Sequence, residues 1–127
     1  MVLNLQFFSK YTLFKTIISS LLLFLFDQIW FSFFDYSQII TKKVNLFSAL
    51  LSWILLGLSI SILFPKNIKQ SIIYTLFLAL FIYGVFNLTN FAINKDFSLK
   101  ISVFDTLWGC FNMTINGIIL FLLFHKK

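Results

Sequence analysis

Apolar residues fall into four long runs along the chain, separated by short polar stretches that carry most of the charge. Crossing about 30 Å of hydrocarbon takes about 20 mainly apolar residues in a helix. Four windows meet this requirement, at roughly residues 16–34, 46–64, 72–88 and 101–124. Lysines bracket each of them: Lys10 and Lys15, Lys42 and Lys43, Lys66 and Lys69, Lys95 and Lys100, then Lys126 and Lys127. Pro65 closes the second window, because proline has no N–H with which to continue a helical ladder. Too little chain separates the windows for a folded extramembrane domain. The pattern therefore predicts an all-α integral membrane protein, a single four-transmembrane-helix antiparallel bundle with short loops over residues 1–127. Residues 1–15 alternate apolar and polar groups loosely, which predicts a short interfacial segment. The first run is too long for the apolar part of a signal peptide, and no small-residue cleavage site follows Phe34, so it is expected to remain a span.

Polar residues inside the runs recur at helical spacing. At 100° per residue, Asp105, Asn112 and Asn116 lie within about 20° of one line, with Trp108 and Gly109 beside them. Tyr83, Asn87 and Asn90 form a stripe on the third span, Ser48, Ser52 and Ser59 on the second, and Thr16, Ser20 and Asp27 on the first. The simplest packing turns all four stripes inward. Depth narrows this further. With a rise of 1.5 Å per residue, Asp27 lies about 13 Å from the boundary opposite the termini. Asp105 and Asn87 lie about 6–8 Å from it, and Trp30, Trp53 and Trp108 about 10 Å. Both acids and all three tryptophans thus share one half of the membrane. An acid at the centre of a span costs about 2.5–3.5 kcal/mol on insertion scales, so it is expected to face the interior and find partners there. Asp27-Gln-Ile-Trp30 and Asp105-Thr-Leu-Trp108 repeat one D-x-x-W pattern, which sets acid and indole on the same helix face.

Composition agrees with a membrane protein and removes the other classes. Hydrophobic residues make up 60% and charged residues 11%, against about 45–50% and about 25% in soluble domains. Aromatic content of 20% excludes disorder, and the single Cys110 excludes a disulfide scaffold. The formal net charge of +6 comes from lysines scattered in ones and twos, as at membrane flanks, so nucleic acid is not an expected partner. With even-numbered spans, six lysines share the side of the termini and four lie opposite, which favours cytosolic termini. The sequence has no Cys/His metal constellation, no glycine-rich phosphate loop and no Ser-His-Asp set, so no metal or cofactor is expected.

Several residues then fall into a known order and spacing: Asp27-x-x-Trp30; Trp53, Gly57 and Phe64-Pro65; Tyr83-x-x-Phe86-Asn87-Leu-Thr89-Asn90-Phe-Ala92; and Asp105-x-x-Trp108-Gly109. Over about residues 20–124 the chain resembles the small predicted membrane proteins catalogued as domain-of-unknown-function family 2177. Two positions depart from that pattern. Phe86-Asn87 stands where the family typically has Tyr-Asp, and Phe97 where it has Trp. The resemblance implies a four-helix membrane protein and implies no reaction.

Stripes and resemblance together give a candidate intramembrane polar site of Asp27, Trp30, Tyr83, Asn87, Thr89, Asn90, Asp105, Trp108 and Asn112, with Pro65 and Gly109 as structural positions. Three functions compete for it. The first is a non-catalytic membrane protein whose polar site binds a small ligand, ion or proton. The second is a structural subunit of a membrane complex or membrane-containing virus particle, with protein partners or a second copy against its phenylalanine-rich faces. The third is an intramembrane enzyme on a lipid-like substrate, with Asp27 or Asp105 as acid or base. Small and polar residues at helix interfaces also serve as plain hydrogen-bond glue, which is the bland reading of the serine and threonine stripes.

Overall fold

The computed structural model describes residues 10–33 and 45–125, and these form four helices. They are α1 (Lys10–Phe33), α2 (Leu46–Ser61), α3 (Ile68–Ile93) and α4 (Leu99–Phe124). Three of them, α1, α3 and α4, are long and apolar enough to cross a membrane, whereas α2 has only 16 residues. Each helix start with a described cap follows its local sequence. Asn45, Asn67 and Ser98 turn side-chain oxygens onto the backbone N–H groups of Ser48, Gln70 and Ile101 at 2.9–3.1 Å, satisfying donors that a helix leaves open at its first turn.

The helix limits differ from the sequence windows for the spans. The second helix ends at Ser61, capped by Ile62, and not at Phe64. The first helix begins at Lys10, so residues 10–15 of the expected interfacial segment are helical and continuous with α1. Residues 1–9 of that segment lie outside the described residues.

Neighbouring helices run antiparallel. Thr16 meets Ser61 and Asp27 meets Trp53, which aligns α1 with α2. Ser71 meets Gly117 and Asn87 meets Asp105, which aligns α3 with α4. The two hairpins join where α1 packs on α4, and α4 touches all three other helices. Close approach relies on glycine at Gly57 and Gly109, among other positions. A Cβ on Gly57 would run into Ser20, including its backbone N at 2.9 Å, and one on Gly109 would run into the Tyr83 ring.

Among the described residues the interior is more polar than the surface. Buried side chains include Thr12, Ser19, Asp27, Thr75, Asn87, Asn112 and Asn116, with Leu23, Ala79 and Met113 between them. Large apolar side chains such as Leu13, Phe33, Phe47, Phe81 and Val85 are at least half exposed. In water this distribution would be inverted; it suits lipid, where polar groups are turned inward to find partners inside the bundle. The α2 stripe is the one that does not turn inward as a whole, with Ser59 alone half-buried among its three serines. Ser48 and Ser52 of α2 are exposed, and Ser52 bonds the Ser48 carbonyl of its own helix at 2.9 Å. A hydroxyl satisfied within its own helix no longer requires a partner across the interface. The face of α2 that meets the bundle carries Trp53, Gly57, Ile60 and Ser61.

Candidate functional site

Asp27, on the inner face of α1, is 9% exposed and accepts three hydrogen bonds. The Trp53 indole N–H donates to Oδ2 at 2.8 Å, and the Trp108 indole N–H donates to Oδ1 at 3.0 Å. The Asn112 amide donates to the same Oδ1 at 3.0 Å. One carboxyl group thus joins α1 to α2 and α4. Indole nitrogens donate only, so both carboxyl oxygens must accept. This explains why an acid stands here where an amide would not serve. Asn112 is held in turn by Asn116, whose amide donates to its backbone oxygen and to its Oδ1, both at 3.1 Å.

A second polar clasp joins α3 to α4. Asn87 is fully buried, and its Nδ2 donates to Asp105 Oδ2 at 2.8 Å and to Thr106 Oγ1 at 3.1 Å. The Ser102 hydroxyl donates to the Asn87 backbone oxygen at 3.1 Å. These bonds fix the amide's orientation, because turning it over would set Oδ1 against a carboxyl oxygen. Asn87 Oδ1 is left buried with no hydrogen-bond donor.

A cavity of about 360 Å³ opens between α1, α3 and α4 beside both clasps. Asp27, Asn87, Asn90 and Asp105 line it, together with Tyr83, Phe86, Asn94 and Phe97. Trp30 and Trp108 also line it, stacked with ring centres 5.1 Å apart and planes 8° from parallel. The two D-x-x-W motifs are therefore interlocked: their indoles stack, and the indole of one binds the acid of the other. Among the described residues no three His, Cys, Asp or Glu side chains come together as a metal site would require.

The candidate residues distribute as follows. Asp27, Trp30, Tyr83, Asn87, Asn90, Asp105 and Trp108 meet at the cavity. Asn112 lies behind it and reaches it through Asp27. Thr89 is exposed and lines no part of it; its neighbours Asn87 and Asn90 take the inward positions, and helical geometry turns the residue between them away. Gly109 packs against Tyr83 in the cavity wall. Pro65 sits at the other end of the bundle, in a smaller cavity of about 200 Å³ with Lys15 and His125. Sequence reasoning did not place Trp53, Asn94, Phe97, Ser102, Thr106 or Asn116 in the site. Trp53 had a signal, since it shares the depth of Asp27 and its N–H needs an acceptor.

Four helices with a polar interior and an apolar exterior, three of them long and apolar enough to span a membrane, define a helical membrane protein. The chain belongs to the family described as predicted membrane protein (DUF2177), whose model matches residues 7–122. No curated protein and no solved structure matches it.

Proposed function

We propose that this is a non-catalytic, four-span membrane protein that binds a small ligand in the cavity between α1, α3 and α4. The observation that carries this reading is Asn87 Oδ1, a fully buried acceptor without a donor on a residue that lines that cavity. Such a group costs about 1–3 kcal/mol unless something donates to it, and the cavity beside it has the size of a small-molecule site, about 300–1,000 Å³. Asp27, with both oxygens engaged by three donors, acts as the structural anchor of the site and is poorly suited to acid–base chemistry. Ligand contact then falls to Asn87, Asn90 and Asp105.

The register of α2 supports a fourth span. Residue 16 is level with 61 and residue 27 with 53, which sets Leu46 level with the last residues of α1. If α1 crosses the membrane, α2 crosses the same hydrocarbon beside it, with Ile62, Leu63 and Phe64 extending its 16 residues. Both termini then share one side, and the lysine bias makes that side the cytosol.

Native mass spectrometry of gently extracted protein tests the ligand reading. The wild-type chain should carry a small molecule that is lost in Asn90→Trp, which fills the cavity. A bare chain, or an adduct retained equally by the folded variant, would overturn the reading.

A further inference from the structure

The chemistry of the cavity wall selects among ligands. Among the described residues its ionisable groups are Asp27, Asp105 and Tyr83, and neither Lys, Arg nor His lines it. Asn87 presents an acceptor, because its amide N–H groups are directed at Asp105 and Thr106. Asn90 uses its own amide donor on the Phe86 carbonyl of its helix, at 2.9 Å. The remaining wall is aromatic, dominated by the parallel Trp30–Trp108 pair. Aromatic faces carry negative potential and attract cations, most strongly where water is excluded. Acceptors, carboxyl groups and indole faces therefore point to the same kind of occupant.

We infer that the cavity takes an organic ammonium ion bearing at least one N–H. Its N–H groups are directed at Asn87 Oδ1 and the Asp105 carboxyl, and its carbon body lies against the aromatic wall. An inorganic cation fits less well, because it demands several oxygen ligands at about 2.0–2.6 Å, and this wall is largely aromatic carbon. A quaternary ammonium fits less well too, since it has no hydrogen to give Asn87. The same aminoalkyl chemistry occurs in free amines and in the aminoethyl headgroup of a phospholipid, and the cavity's volume of about 360 Å³ accommodates either. The inference rests on the ligand-binding reading of this cavity.

The test uses the full chain in detergent micelles, with tryptophan fluorescence as the signal and two ligands of equal shape. Cyclohexylmethylamine should bind about tenfold or more tightly than neutral cyclohexylmethanol, from cation–π attraction and charge-assisted hydrogen bonds. In parallel, nanodiscs containing phosphatidylethanolamine and phosphatidylcholine are compared by native mass spectrometry. Preferential retention of phosphatidylethanolamine assigns a lipid source, and free-amine binding without that preference assigns a soluble one; each supports the inference. Equal affinity for amine and alcohol, with no headgroup preference, overturns it while leaving the cavity a ligand site. If in addition nothing co-purifies with the chain, the ligand-binding reading falls as well. Asn87→Leu should abolish the amine preference but also loosens the α3–α4 clasp, so a second variant is needed. Asn90→Lys places a tethered ammonium in the cavity at a residue bonded only within its own helix, and should weaken amine binding about tenfold with the melting temperature retained. Unchanged amine affinity in folded Asn90→Lys would also overturn the inference.

Discussion

At the scale of single residues, Asp27 and Asp105 have the same chemistry and different duties. Asp27 receives donors on both oxygens. In Asp27→Asn one oxygen becomes an NH₂ group facing an indole or amide N–H, so one buried donor loses its acceptor whichever way the amide turns. A loss of about 1–3 kcal/mol is expected, read as a lower melting temperature in detergent. Asp105 presents Oδ2 to the Asn87 amide, and an asparagine oxygen serves that donor equally well. Asp105→Asn should therefore melt above Asp105→Leu, which takes the acceptor from one of the two Asn87 amide N–H groups and should lose about 1–3 kcal/mol. Equal melting temperatures for Asp27→Asn and Asp105→Asn would mean that the carboxyl of Asp27 is not the anchor. Trp108 joins the same anchor and stacks on Trp30, while Phe121 stacks only on His125 near the end of α4. Trp108→Ala is accordingly expected to lower the melting temperature more than Phe121→Ala.

At the scale of helices, glycine reports how closely two of them approach. Gly57 leaves no space for a methyl group against Ser20 of α1, while Gly84 has nothing within 4 Å of where a Cβ would stand. Gly57→Ala should push α2 from α1 and destabilise by about 1–3 kcal/mol. Gly84→Ala should be neutral or stabilising by up to about 1 kcal/mol, because alanine is the better helix former. Thermal melts of the two variants, identical in chemistry, should move in opposite directions or differ by several degrees. Sequence pattern reaches this scale unevenly. Counting residues at a fixed rise was enough to bring Asp27, Asp105 and the three tryptophans near one another, because neighbouring helices run antiparallel. Phase along a single helix was enough for α4, where Asn112 and Asn116 are fully buried. It was not enough for α2, where Ser52 bonds its own backbone and the inward face is chosen by a glycine and an indole. Nor does phase alone reveal that one D-x-x-W acid binds the other motif's indole; that follows from which helices are neighbours.

At the scale of the whole molecule, the number of crossings decides where the ends lie. In the four-span protein, single cysteines replacing Lys10 and Lys127 should react with an impermeant thiol reagent from the same side, and one replacing Lys43 from the other, in a background where Cys110 is serine. If α2 lies on the surface instead of crossing, Lys10 and Lys127 will be labelled from opposite sides. The two hairpins, α1 with α2 and α3 with α4, meet chiefly along α1 and α4, and the parallel Trp30 and Trp108 rings straddle that seam. Two indoles so close and so nearly parallel share their excited state. Their transition dipoles couple, and the coupling decays with the cube of their separation. The seam therefore contains its own optical ruler: an exciton couplet in the circular dichroism of the folded protein, lost in Trp30→Phe, that fades whenever one hairpin swings from the other even though every helix stays intact.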